Sequence, residues 1–165
     1  MERSEEITKS ITKRFRKEIW KMFVKGISEY EMIKDGDKIA VCISGGKDSM
    51  LMAKCFQERN IRPQILLGYR GESQMFDNEV FAQYGDLFIS TQDGSYGEKG
   101  LVTEHSVFAN QFDAVYTCGP TPMMRAVAEN CEKRGINMRK GFGICCIILG
   151  ICCLIASVGF IAYNH

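Results

Sequence analysis

Histidine is almost absent from this 165-residue chain, which has only His105 and His165. One lies on a predicted helix and the other at the terminus, so we expect neither a histidine-based metal site nor a Ser-His-Asp triad. The chain also lacks an excess of charge of either sign, because 21 Lys and Arg residues are balanced by 20 Asp and Glu residues. A net charge of +1 gives no global attraction to nucleic acid or to acidic substrates. Any electrostatic partner must therefore bind a local patch.

The length leaves room for one ordinary domain and a short appendage, which excludes an enzyme with separate cofactor and substrate lobes. A secretory signal is not expected, since the first residues, MERSEEITKS, are charged and polar. We divide the chain into a basic amphipathic helix with its lead-in over 1–37, a nucleotide-binding α/β domain over 38–137 and a membrane anchor over 138–165.

The middle of the chain repeats a short β-rich apolar run, a glycine-containing turn and a helical stretch. The predicted strands cover 38–43, 64–69, 86–90 and 113–117, and the predicted helices cover 48–59, 77–84, 103–110 and 122–134. This alternation is typical of an α/β fold in which helical crossovers join parallel strands. We expect a Rossmann-like open parallel sheet of strand order 3-2-1-4, with its ligand site beyond the carboxyl ends of the strands.

Apolar residues near the N-terminus step by three and four, which predicts an amphipathic helix over about 5–30. The middle of this helix is strongly basic, with Glu18 as the only acidic residue among Lys13, Arg14, Arg16, Lys17, Lys21 and Lys25. A solvated surface, anionic lipid headgroups and RNA are all compatible with this basic face.

The segment from Gly141 to Tyr163 has no charged residue and is long enough to cross a bilayer as one helix. Because its N-terminal flank is basic, we expect a membrane protein with a single C-terminal helix and the bulk of the chain on the cytoplasmic side. Small residues recur along one helix face and would allow a homodimer through close helix contact. They are Gly143, Cys146, Gly150, Cys153 and Ser157.

Four of the eight cysteines form two adjacent pairs in this uncharged segment, Cys145–Cys146 and Cys152–Cys153. Their spacing does not fit zinc or iron–sulfur ligation, and acylation of the first pair is an alternative to simple helix packing. The other four cysteines are scattered through the predicted α/β domain, where we expect reduced thiols that behave as small hydrophobic residues.

The loop after the first predicted strand is glycine-rich and ends at a predicted helix. Glycines allow backbone N–H groups to approach an anion, and the helix N-terminus adds its dipole. Asp48 either caps the helix or binds Mg²⁺ beside a polyphosphate, and the residues alone leave both roles open. The predicted phosphate-binding residues are Ser44, Gly45, Gly46, Lys47, Asp48 and Ser49.

The sequence SGGKDS, preceded by YEMIKDGDKIAVCI, resembles the PP-loop ATP pyrophosphatases, especially those that adenylate tRNA bases for 2-thiolation. The resemblance covers residues 1–57. It implies that the six loop residues hold the pyrophosphate of ATP, with Mg²⁺ as the accompanying metal.

A second resemblance begins at about residue 63 and covers 63–136. The segments QILLGYRGESQMF, DLFISTQDGSYGEKGLVTE and FDAVYTCGPTPMMRAV are similar to the NAD(P)H-binding domain of ferredoxin-reductase-type flavoproteins, most closely to dihydroorotate dehydrogenase electron-transfer subunits. The resemblance implies contacts with the nicotinamide, the adenosine ribose and the rest of the dinucleotide. The residues implied are Cys118, Gly119 and Pro120 for the nicotinamide, Arg70 for the ribose, and Asp93, Gly94, Ser95 and Tyr96 along the dinucleotide.

The two resemblances make the chain a composite, or chimera, and leave three functional hypotheses. The first is an NAD(P)H-binding electron-transfer module that needs a separate flavoprotein or dehydrogenase subunit, since neither a flavin-binding barrel nor iron–sulfur cysteines are found. The second is a PP-loop ATP-binding protein, with RNA held by the basic helix. The third is a catalytically inactive, membrane-anchored interaction protein. We assign no acid–base catalytic residue.

Overall fold

A parallel β-sheet forms the centre of the chain in the computed structural model, which describes residues 9, 13–14, 16–29, 31, 33–44 and 47–136. The strands are β1 (Ile39–Ile43), β2 (Gln64–Tyr69), β3 (Asp86–Thr91), β4 (Glu98–Lys99) and β5 (Ala114–Cys118). Every pairing is parallel, and the strand order is β4-β3-β2-β1-β5. The four predicted strands and their order are confirmed, and the two-residue β4 is added beyond β3.

Four α-helices accompany the sheet in the described residues. They are α1 (Lys21–Glu29), α2 (Lys47–Gln57), α3 (Asn78–Ala82) and α4 (Thr121–Lys133). A π-helical turn, Arg16–Trp20, leads into α1, so the described part of the predicted N-terminal helix is helical but not uniformly α-helical.

The helix predicted over 103–110 is wrong, because two 3₁₀ turns, Val102–Glu104 and Ser106–Ala109, occupy this stretch. His105 lies between them with an extended ψ of 136°, and its Nδ1 accepts a hydrogen bond from the Val107 N–H at 3.1 Å. Local side-chain hydrogen bonds of this kind compete with a continuous α-helix.

Alternate residues of each strand face opposite sides of the sheet and enter two separate cores. One core packs β1, β2 and β5 against α1, α2 and α3, and the other packs them against the 3₁₀ turns and α4. Every residue of β5 is buried although β5 is an edge strand. Helix α1 contributes to this cover, since Phe23 contacts Phe56 edge-on at 5.7 Å and Phe56 contacts Tyr116 at 4.9 Å.

Four buried acidic groups predict that the fold weakens in alkali. Burial raises the pKa of Cys42 well above its usual value, that of Cys131 to about 11, and those of Tyr69 and Tyr116 above the ordinary tyrosine value. As the pH rises, the unfolded chain therefore releases these protons before the folded chain does, starting at about pH 8.5 for the thiols. Because the folded chain then binds more protons, the free energy of unfolding falls as the pH rises.

We expect the free energy of unfolding to fall by about 1.4 kcal/mol per pH unit for each group that titrates only in the unfolded chain. Urea melts between neutral pH and about pH 10 measure it. Cys131→Ala should reduce the slope, and a free energy of unfolding that stays constant over this range would contradict the prediction.

The predicted membrane helix over 141–163, with its small-residue face and paired cysteines, lies outside the described residues. Within the part that the structure describes, no helix is both long enough and apolar enough to span a bilayer.

Candidate functional site

A cavity of about 580 Å³ lies where the carboxyl ends of β1, β2, β3 and β5 meet. Its volume is within the range of pockets that hold drug-sized ligands and cofactors. Strand β1 separates β2 from β5, so the cavity lies where the strand order reverses, as expected for an open α/β sheet. The described lining residues are Ser44, Gly68, Tyr69, Arg70, Gln74, Phe76, Gln92, Gly100, Leu101, Val102, Thr103, Pro120, Pro122, Met123 and Ala126.

The loops that follow β1 and β5 are in direct contact beside this cavity. The Cys118 carbonyl accepts hydrogen bonds from the Ser44 N–H at 3.2 Å and from the buried Ser49 hydroxyl at 3.3 Å. A Cβ on Gly119 would lie 3.2 Å from Ser44 Oγ and 2.9 Å from Met123 Sδ. The absence of a side chain at Gly119 therefore allows the two loops to close on each other.

Helix α4 begins at the wall of the cavity. Pro120 is its N-cap residue and accepts no side-chain capping hydrogen bond, while Thr121 and Pro122 are already inside the helix. The helix therefore begins one residue before the predicted start at 122. With Pro122 and Met123 lining the cavity, the positive end of the helix dipole lies beside it, which favours an anionic ligand group.

Arg70 follows β2 and is the only charged residue among the described lining residues. Its side chain is exposed, so it is available to a ligand that enters the cavity. The other polar side chains of the described lining are neutral and belong to Ser44, Tyr69, Gln74, Gln92 and Thr103. A single cation in a neutral wall suits a ligand that carries phosphate and sugar groups.

Tyr69 fixes the segment that carries Phe76 at the cavity. Its hydroxyl donates to Asn78 Oδ1 at 3.1 Å and approaches the Phe76 carbonyl at 3.4 Å. Burial, more than any other influence, raises the pKa of Tyr69, so the hydroxyl keeps its proton and remains a donor. Phe76 is 47% exposed and Leu101 is 45% exposed, so both present apolar surface at the cavity.

The turn after β3 forms a rigid rim beside the cavity. Asp93 Oδ1 accepts hydrogen bonds from the Ser95 hydroxyl at 2.6 Å and the Ser95 N–H at 2.9 Å, and these bonds lower the pKa of Asp93. The Ser95 hydroxyl also accepts from the Glu72 N–H at 2.8 Å, which ties the turn to the segment after β2. Gln92, rather than Asp93–Tyr96, lines the cavity itself.

The predicted site residues therefore differ in their position relative to the cavity. Ser44, Arg70 and Pro120 line the cavity, and Cys118 and Gly119 adjoin it through the contacts with Ser44. Asp93, Gly94, Ser95 and Tyr96 form the rim, and Ser49 is buried against the Cys118 carbonyl. Gly45 and Gly46 lie outside the described residues, and Lys47 and Asp48 are described as the first backbone residues of α2 only.

Sequence reasoning missed most of the apolar lining, including Phe76, Leu101 and Met123. These residues come from separate segments and share no motif. Gln92 could have been found, because it directly follows a strand whose carboxyl end faces the predicted ligand site. Among the described side chains, no group of three or more His, Cys, Asp or Glu is placed to hold a metal ion, and the predicted Mg²⁺ role of Asp48 stays a prediction.

Curated relatives of this chain include electron transfer subunits of dihydroorotate dehydrogenase B (NAD(+)). The subunit of Bacillus caldolyticus is 35% identical over 98 residues, which are 56% of this chain and 38% of the relative. The subunit of Fusobacterium nucleatum is 35% identical over 104 residues, which are 57% of this chain and 40% of the relative. The chain thus spans about two fifths of the length of these relatives. No protein-family model matches it.

A solved structure of an NADH-dependent reduced ferredoxin-NADP oxidoreductase is also similar. The TM-score is 0.50 at 27% sequence identity, over 60% of this chain and 37% of that one. These comparisons support the ferredoxin-reductase-like nucleotide-binding part of the chain and its relationship to electron-transfer oxidoreductases. They give no support to the PP-loop resemblance over 1–57, which stays a prediction.

Proposed function

We propose that this chain is an NAD(P)H-binding electron-transfer module that works with a separate flavoprotein partner. The observation that carries the proposal is the cavity at the switch in strand order, where the loop of Cys118 and Gly119 closes on Ser44 and Arg70 supplies the one cation of the described lining. The similarity to electron-transfer subunits whose names include NAD(+) supports the same function.

The residues present fit such a ligand. Arg70 and the N-terminus of α4 favour the two phosphates, and the hydroxyl and amide groups of the wall can pair with the ribose hydroxyls. Phe76, Leu101 and Met123 offer apolar surface to flat rings. Gly68 lines the cavity without a side chain, and a Cβ there would lie 3.3 Å from Val102 Cβ.

Bound NAD(P)H would supply a hydride for the flavin of the partner, and its oxidised form would then be released. In this proposal the residues of the chain bind and orient the nucleotide, and none of them transfers a proton. Gly119 keeps the Cys118 loop against Ser44, and the Tyr69 hydrogen bonds hold Phe76 beside the cavity. In this proposal the electron acceptor belongs to the partner.

Arg70→Gln should weaken the binding of NADH by about 10- to 100-fold, since a hydrogen bond to a charged group contributes about 1.5–3 kcal/mol. NADH fluorescence titration of the full chain measures this change. The matched control is Arg62→Gln, which removes an exposed arginine that pairs with Asp86 at 3.0 Å, at the opposite end of the strands. Equal affinities of Arg70→Gln and the wild type would contradict the role of Arg70.

A further inference from the structure

A recess of about 390 Å³ beside the first described turns is lined by cations alone among the described residues. Its lining residues are Lys13, Arg14, Arg16, Lys17 and Lys21, and all five are exposed. We call this set the basic recess. It lies far along the chain from the residues of the nucleotide cavity and shares none of its lining.

Charges in the basic recess repel one another. Lys13, Lys17 and Lys21 carry charges of the same sign and line one recess, so each disfavours the others there. None of the ion pairs found among the described residues includes Lys13, Lys17 or Lys21, whereas Lys25 in the next turn pairs with Glu29 at 3.7 Å. An anionic partner would relieve this repulsion.

The neighbouring apolar side chains distinguish between anionic partners. Single-stranded RNA sites combine positive charge with aromatic side chains on which bases stack. Among the described aromatic side chains of this segment, Phe23 is buried and Trp20 stacks on it at 6.2 Å, so both pack into the core. Met22, in contrast, is 42% exposed beside Lys21, where an apolar side chain can enter a lipid interface.

From these observations we infer that the basic recess binds the anionic headgroups of a phospholipid bilayer. The sequence supplies a second reason for this choice, since its uncharged run over 141–163, which we propose as a membrane anchor, would keep the rest of the chain close to such a surface. Headgroup binding would then orient the nucleotide-binding sheet relative to the membrane.

The test compares partitioning of the full chain onto vesicles of pure phosphatidylcholine and onto vesicles in which about one lipid in three is phosphatidylserine. The ratio of the two partition coefficients isolates the electrostatic part, because the uncharged run contributes equally to both. Each cation is expected to contribute about fivefold, or about 1 kcal/mol. The variant K13Q/K17Q/K21Q should therefore lower the ratio by about a hundredfold.

The control K34Q/R59Q/K99Q removes the same charge from exposed positions outside the basic recess and should change the ratio by less than about twofold, because salt screens distant charges. Raising the salt to about 0.5 M should lower the wild-type ratio without any substitution. A ratio that is insensitive to salt or to K13Q/K17Q/K21Q would overturn the inference. Displacement of the chain from phosphatidylserine vesicles by mixed-sequence single-stranded RNA, with RNA affinity lost in the same variant, would also overturn it.

Discussion

Gly119→Val is expected to lower the affinity for NADH by about a hundredfold or more, which is about 2.7 kcal/mol of binding free energy. A Cβ at this position would already lie 2.9 Å from Met123 Sδ and 3.2 Å from both Cβ and Oγ of Ser44. The two further methyl groups of valine must push the loop away from Ser44. That movement breaks the 3.2 Å hydrogen bond from the Ser44 N–H to the Cys118 carbonyl and reshapes the cavity wall.

A graded series makes the Gly119 prediction stricter. Gly119→Ala should fall between the wild type and Gly119→Val, because one methyl group needs only a small shift of the Met123 side chain. Ala109→Val introduces valine at an exposed position before β5 that is not among the lining residues, and it should leave NADH binding unchanged. Wild-type affinity in Gly119→Val would show that NADH does not bind beside this loop.

Gly97→Ala is expected to reduce the free energy of unfolding by about 3 kcal/mol, the sum of left-handed backbone strain and forced overpacking. Gly97 has a φ of +64°, and a Cβ there would lie 2.1 Å from the Ile89 carbonyl oxygen. Because this oxygen belongs to the backbone of β3, it cannot move without disturbing the strand. The melting temperature should fall by about 10 °C.

Gly135→Ala is the matched control for the contact between a Cβ at residue 97 and the Ile89 carbonyl oxygen. Gly135 has a φ of +69°, close to that of Gly97, but no described atom lies within 4 Å of the position of its Cβ. The free energy of unfolding of this variant should fall by about 1 kcal/mol, which is the cost of the backbone strain alone. Equal losses of stability in Gly97→Ala and Gly135→Ala would mean that the turn after β3 does not pack against Ile89 in this way.

The sheet could be predicted from the sequence because β1, β2 and β5 are apolar, β-rich runs that both cores bury, and the apolar residues of β3 pack against the same cores. Its order was an implication of the resemblance to ferredoxin-reductase-type proteins, because SGGKDS falls where the first phosphate loop of a Rossmann-like sheet of order 3-2-1-4 would lie. The position of the cavity followed in turn, since Ser44 and Arg70 come directly after predicted strands and Pro120 comes three residues after the last one. These predictions depend on patterns that extend over many residues.

Features determined by single side chains could not be predicted in this way. Strand β4 has two residues, too few for any periodicity, and its position depends on the turn that Gly97 allows. The predicted helix over 103–110 is divided because His105 bonds the Val107 N–H. The apolar wall of the cavity is assembled from separate segments, so only the folded chain brings Phe76 and Met123 together.

Equilibrium binding of NADH to the full chain, followed by the fluorescence of the reduced nicotinamide with ATP·Mg²⁺ as competitor, tests the central claim most directly. Our account predicts saturable binding at one site that ATP·Mg²⁺ does not displace and that Gly119→Val removes. Saturable binding of ATP·Mg²⁺ without any binding of NADH would contradict the account and would make SGGKDS the nucleotide-binding site.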